Sequence, residues 1–317
     1  MSDIRLSTSQ LHNTTTSQIL KNQSDVYRTQ TQLATGKRIL SPSDDPRGAA
    51  SLVDLTREIA RSKQYQDNGF AAKERLDLED QTLGSAATLL QRINELGVYG
   101  NNGALGATER GYIAAEIEGY YEEMLSIVNA KGNNGEYLFA GYKSSTTPFA
   151  KGVGVDASGA PVAGSTIGYS GDDNRRQIYI ADELSLASAD PGSEVFQGKG
   201  VTNGVDMFRS IEDMINNLKN NTPDIANANG KTDQENIGAV MEQILLYRSK
   251  VGARLHTIET QNMVHEDFQV YLQTSVSRVE DVDIAEAVTR LNQQMMSLQA
   301  VQQTYMKTQG LSLFNYL

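Results

Sequence analysis

The final stretch of the chain, 281–317, constrains the fold more than any other. Its apolar residues fall at Ile284, Val288, Leu291, Met295 and Leu298, and Gln302 and Tyr305 continue the spacing. The steps alternate four and three, the a/d rhythm of a coiled-coil seam. A seam needs a facing helix, and no neighbouring stretch supplies one. At the opposite end Ile19, Val26 and Leu33 recur every seven residues, with Leu20, Tyr27 and Ala34 beside them. The two termini are therefore expected to pair, with everything between hanging from that pair.

The N-terminal partner is mostly Ser, Thr, Gln and Asn. Ordering backbone costs about 1–2 kcal/mol per residue, and each buried apolar side chain returns about 1.5–3 kcal/mol. About six apolar side chains do not cover ~35 ordered residues at those values. The segment is expected to be disordered in the free subunit and to fold against partners.

A turn follows. Gly36 reads as a helix C-terminal cap, with Lys37 and Arg38 near the negative helix end. Pro42 and Pro46 exclude regular helix between them. Ser43, Asp44 or Asp45 can cap the next helix, with Pro46 in its first turn. Paired carboxylates also suit a metal or acid/base site, but caps are what this spacing around proline calls for.

A long helix is expected over 47–99, its stripe running through Leu52, Leu55, Ile59, Leu76, Leu83, Leu90 and Ile93. Glycines and asparagines at 97–103 end it, and a second helix over 108–130 returns as its antiparallel partner. The character then changes. The run 136–142 is β-like, short β runs follow at 167–170, 177–180 and 184–186, and Gly, Ser and Asp are abundant up to 204. This reads as an inserted β domain, flexible and exposed. Helix resumes at 205–220, a loop holds Pro223 and Gly230, and a last long helix starts near Asp233. Its stripe steps through Ile237, Met241, Ile244, Arg248, Val251, Leu255 and Ile258, and the register shifts across 280–283.

The expected fold is mainly α with an inserted β domain. The N- and C-terminal segments form a long antiparallel helical bundle or coiled coil, and the small β-rich domain lies in the middle. Residues 1–41 and 281–317 form a terminal coiled-coil assembly domain, disordered in the monomer. Residues 42–140 and 205–280 form a helical bundle, and 141–204 form the β-rich surface insertion.

Chemistry has few footholds. With no cysteine, thiolate metal sites and cysteine nucleophiles are excluded. A net charge of −11 without a basic stripe disfavours nucleic acid as a partner. No run approaches the ~20 apolar residues of a membrane span, so no membrane insertion is expected, and the first residues lack an apolar signal-peptide core. His265-Glu-Asp-Phe-Gln269 misses the zinc-protease pattern because an amide stands at the second ligand position, which leaves His265 as a helix-surface residue. Gly230-Lys231-Thr232 imitates the end of a phosphate loop but lacks its first glycine and preceding strand. No catalytic, cofactor or metal residue is assigned, and no enzyme activity is expected.

Several stretches together do carry a resemblance. Leu33-Ala-Thr-Gly-Lys-Arg38 with Pro42-Ser-Asp-Asp-Pro46, Leu90-Gln-Arg-Ile-Asn-Glu-Leu96, and Arg278-Val-Glu-Asp-Val-Asp-Ile284 resemble the bacterial flagellin family over roughly 1–140 and 205–317. Gly135-Glu-Tyr-Leu-Phe-Ala-Gly-Tyr142, Pro148-Phe149, Tyr169-Ser-Gly-Asp172, Arg176-Gln-Ile-Tyr-Ile180 and the ending Gln309-Gly-Leu-Ser-Leu-Phe314 are similar to the branch that joins hook to filament. The alternatives are flagellin itself, or a secreted adhesin or enzyme acting through the β insertion.

The resemblance implies a structural subunit exported unfolded through the flagellar type III channel and assembled outside the cell by packing of its terminal helices. The implied partners are further copies of itself, the first hook-associated protein, flagellin, and a cytoplasmic export chaperone for the C-terminal helix. In flagellins a host Toll-like receptor reads the stretch matching 90–96. That places Leu90, Gln91, Arg92, Glu95 and Leu96 in a receptor-like stretch, with Asn94 where flagellins usually carry a basic residue. Periodicity alone assigns Leu90, Ile93 and Leu96 to bundle packing.

Overall fold

The structure, a computed structural model, describes residues 8–152, 167–201, 204–222 and 230–310. In chain order the elements are α1 (Thr8–Thr35), α2 (Pro46–Gly100), α3 (Ala107–Val128), β1 (Phe149–Lys151), β2 (Ile167–Tyr169), β3 (Gln177–Tyr179), β4 (Ser185–Ala187), α4 (Gly192–Val195), α5 (Met207–Lys219), α6 (Asp233–Glu280) and α7 (Ile284–Gly310). The first seven residues, the middle of the insertion, the Pro223 loop and the Leu-Ser-Leu-Phe ending lie outside the described residues.

The chain divides into two compact units: a terminal unit, Met1–Arg61 with Asp267–Leu317, and a central unit, Ser62–Glu266. These boundaries fall inside α2 and α6, whereas the sequence suggested divisions at 41, 140, 204 and 280. A helix interior changes neither composition nor turn chemistry where one packing environment ends and the next begins, so nothing in the residues marks the crossing.

The central unit is built on α2. Ala72, Leu76, Glu79, Leu83, Ala86, Leu90 and Ile93 are all buried, and their spacing of four and three makes a continuous seam. α6 faces it in the opposite direction: Lys73 pairs with Glu259 at 2.8 Å, and Asp80 with Arg248 at 3.0 Å. On the central-unit part of α6 the buried apolar residues are Ile237, Val240, Ile244, Tyr247, Val251 and Ile258. The stripe expected through Met241 and Arg248 is thus displaced by one residue at those points. A guanidinium is costly to bury, and Arg248 stays on the flank with Asp80.

α3 folds back on α2 through a turn held by Arg110. Its guanidinium donates to the Gly100 and Asn102 carbonyls at 2.9 and 3.0 Å. α5 lies along α3, with Tyr121 edge-on to Phe208.

The insertion is less strand-like and better packed than its composition suggests. β1 pairs antiparallel with β2, Phe149 opposite Tyr169, and β3 pairs with β4, Gln177 opposite Ala187. The run 136–142 is not a strand. Its Tyr137 N–H donates to the Ser144 carbonyl and its Tyr142 N–H to Asp172 Oδ1, closing a turn that buries Leu138, Phe139 and Ala140. Phe139, Phe149, Tyr169, Phe196 and Phe208 form one aromatic cluster. These residues share the core of the α2 seam, which is why they do not form a separate compact unit.

One local reading is corrected, and the loop before α6 gains a role. His265 is buried, not on the surface: its Nδ1 lies 3.2 Å from Ser62 Oγ and its Nε2 2.7 Å from the Ile180 carbonyl. The Gly230-Lys231-Thr232 segment opens α6 with a capping box, in which Thr232 Oγ1 accepts from Glu235 N–H and Glu235 Oε2 accepts from Thr232 N–H.

Candidate functional site

Within the terminal unit, α1 and α7 pack on one another antiparallel. Asn22 donates to Ser297 Oγ at 3.3 Å, and toward the other end of α7 Tyr305 meets His12 at 2.9 Å. On α1 the half-buried Ile19, Val26 and Leu33 alternate with Asn22 and Thr29, both buried, so the stripe steps four and three. The expected residues face inward, and half of the seam is polar. Leu20 and Tyr27 are exposed.

α7 departs further from expectation. Its buried or half-buried stripe is Ala287, Leu291, Gln294, Leu298, Val301 and Tyr305. Leu291, Leu298 and Tyr305 are therefore where the spacing put them. Ile284, Val288 and Met295 are not: they are 65%, 43% and 36% exposed. The reason is that α7 carries two apolar stripes. The one that meets α1 uses a small residue and a polar one at 287 and 294, and a search for bulky apolar residues selects the outer stripe instead. Met296 and Met306 add to the exposed apolar surface of this helix.

The turn after α1 ties the unit together. Gly36 has φ +71°, the left-handed conformation of a helix C-terminal cap. Its carbonyl accepts from Val282 N–H at 2.9 Å, Arg38 N–H donates to the Glu280 carbonyl at 2.6 Å, and Lys37 pairs with Glu280. The α6–α7 break at 281–283 thus forms a short β-like contact with the residues after α1. Asp283 caps α7 by accepting from Glu286 N–H.

Asp44 and Asp45 divide the capping work. Asp45 Oδ1 accepts from Gly48 N–H at 2.9 Å, so Asp45 is the N-cap of α2 and Pro46 its first residue. Asp44 folds back to accept from Ser41 and Leu40 N–H at 3.0 Å each and pairs with Arg28 on α1 at 2.8 Å. These hydrogen bonds, from Ser41 first for Asp44 and from Gly48 first for Asp45, hold both carboxyls below the usual carboxylate range. Pro42 is exposed.

Sequence reasoning passed over Gly48. A Cβ there would stand 2.6 Å from both Asp45 Oδ2 and Ile39 Cδ1. The signal available was a glycine three residues after a cap, in a helix's first turn, where it is otherwise unfavourable.

In the central unit, Leu90, Ile93 and Leu96 are core residues, while Gln91, Arg92 and Glu95 face solvent. Arg92 pairs with Glu95 and with Glu116 of α3, each at 3.3 Å. Among the described residues no group of three or more His, Asp or Glu side chains is placed to hold a metal, and no helix is long and apolar enough to cross a membrane. What the terminal unit offers is a packing surface.

Comparison with known proteins agrees. The family model for the bacterial flagellin N-terminal helical region matches residues 6–144, and that for the C-terminal helical region matches 234–317. Flagellar hook-associated protein 3 of Escherichia coli K12 is 27% identical, covering 98% of this chain and 99% of its own. The protein of the same name from Salmonella typhimurium LT2 is 26% identical over 98% and 99%. The solved structure of the flagellar junction protein FlgL from Legionella pneumophila superposes with a TM-score of 0.57 at 18% identity, over 73% of this chain and 99% of that one. With both terminal helical regions matched, and α1 and α7 folded as an antiparallel pair, the chain belongs to the bacterial flagellin family.

Proposed function

We propose that this chain is a structural subunit of the bacterial flagellum that joins the hook, through the first hook-associated protein, to the flagellin filament. It leaves the cell unfolded through the flagellar type III system, with a cytoplasmic chaperone covering its C-terminal helix. It then assembles outside the cell, in a layer of like subunits, through its terminal helices.

The observation that carries this reading is the second apolar stripe. α7 keeps Ile284, Val288 and Met295 exposed after it has paired with α1, and α1 keeps Leu20 and Tyr27 exposed. A helix pair complete in itself has no use for an outer apolar face. The inner seam is correspondingly weak, with Asn22, Thr29 and Gln294 in it. The pair is therefore a half-finished bundle that neighbouring copies complete, and in the free subunit it is expected to be disordered. The full-length similarity to hook-associated protein 3 supports the junction over the filament body.

The test is to add purified chain to isolated hooks bearing the first hook-associated protein, and separately to filament seeds. A junction subunit stops after a limited layer and then accepts flagellin. Indefinite elongation would mark the chain as a filament subunit, and no incorporation would sink the reading.

A further inference from the structure

The seam of α2 contains one residue that does not belong in it. Glu79 sits between Leu76 and Leu83, fully buried. Its Oε1 accepts from Asp190 N–H at 3.1 Å, and its Oε2 has no hydrogen-bond partner. Asp190 is buried as well and begins the segment that leads into α4.

The charges around this point are almost fully spoken for. From α6, Arg254 grips Asp190 with both terminal nitrogens, at 2.8 and 3.0 Å. From the loop before β3, Arg175 donates through Nε to Asp190 at 3.0 Å and through a terminal nitrogen to Glu194 of α4. Tyr247 of α6 donates to Glu194 at 2.8 Å. One turn earlier on α2, Arg75 donates through its terminal nitrogens to Glu136 at 3.1 Å, which it shares with Arg176 at 3.4 Å, and to the Tyr137 and Leu138 carbonyls, while its Nε is buried without a partner. One residue on, Asp80 is paired outward with Arg248. Arg175 and Arg254 are committed to Asp190 and Glu194, and no guanidinium donates to Glu79, so an ionised Glu79 would be a buried negative charge beside Asp190 without a hydrogen bond from any cation.

We propose that Glu79 is a proton-operated latch for the segment 190–196. While neutral, it sits in the apolar seam and holds the Asp190 backbone. Once ionised, it repels the Asp190 carboxylate and releases the segment. Burial first, and the Asp190 charge second, push the Glu79 carboxyl up to about 8, so the change falls in mildly alkaline solution. A carboxyl raised in the folded state binds a proton that the open state has lost. The latch therefore weakens as pH rises from the ordinary glutamate range to about 8, and levels off above.

The experiment is amide hydrogen exchange of the full chain from pH 5 to 9.5, corrected for intrinsic exchange, on wild type and Glu79→Gln. The opening equilibrium of 190–196 in wild type is expected to rise by up to about tenfold per pH unit within that window. In Glu79→Gln, which keeps the acceptor and cannot ionise, it is expected to stay flat. Identical profiles for the two proteins would overturn the proposal. If the variant does not fold, carbon-13 titration of the Glu79 carboxyl in wild type decides. A midpoint well above the ordinary glutamate range that tracks the exchange supports the latch, and a midpoint near 4 to 5 overturns it.

Discussion

Ile284→Asp separates assembly from folding. Ile284 is the first residue of α7, directly after the Asp283 cap. A carboxylate at that position faces the positive end of the helix and is favourable there. Because Ile284 is 65% exposed, the free subunit loses little apolar contact and its thermal stability is expected to hold. In the assembled state the same face is proposed to be covered. Burying a whole isoleucine side chain is worth about 1.5–3 kcal/mol, so covering the exposed part of Ile284 contributes about 1–2 kcal/mol.

The aspartate forfeits that contribution and must also desolvate a charge, which brings the loss to at least ~2 kcal/mol, or ~30-fold in affinity. The assay is quantitative incorporation of labelled subunit onto isolated hooks bearing the first hook-associated protein, paired with thermal unfolding of the free subunit. Undiminished incorporation would refute the outer-stripe argument. A drop in free-subunit stability matching the loss of incorporation would refute it too, by showing that Ile284 holds the subunit itself together.

Mild protease should trim the free subunit by roughly its first 40 and last 35 residues, and uniform resistance would contradict the half-finished bundle. Gly48→Val should weaken incorporation onto hooks by about 1–3 kcal/mol through overpacking against Ile39 and Asp45 once the terminal helices fold; undiminished incorporation would show that the turn has room to shift. Burial pushes Asp206, the N-cap of α5, up to about 6. Its ionisation therefore costs stability progressively as pH rises from the ordinary aspartate range to about 6. Asp206→Asn keeps the bond from Arg209 N–H, so it should raise the melting temperature at pH 7.5 by a margin that vanishes near pH 4.

Much of this molecule was legible in its residues. The α2 seam, the capping roles of Gly36 and Asp45, and the break before α7 all follow from spacing and turn chemistry, because each is decided within a few residues of chain. What escaped was set by partners far away in sequence. The polar half of the α1 stripe, Asn22 and Thr29, resembles any solvated surface until α7 is laid against it. The outer stripe of α7 imitates the inner one because both are apolar at the same period. Glu79 would pass for an exposed charge, and only the fold brings Asp190 to it. The 136–142 run has strand composition, but its hydrogen-bonding groups are claimed by Ser144 and Asp172 before a neighbouring strand could use them.

The contact between Gly36 and Val282, with that between Arg38 and Glu280, fixes one more property of the terminal helices. Two rods joined at the root like the arms of a tuning fork can spread at their tips, but neither can slide along the other. Once the arms fold on assembly, their axial offset is set by contacts within one molecule and not by its neighbours. If copies assemble through these helices as proposed, each presents the same stagger to the next, set by a four-residue clasp.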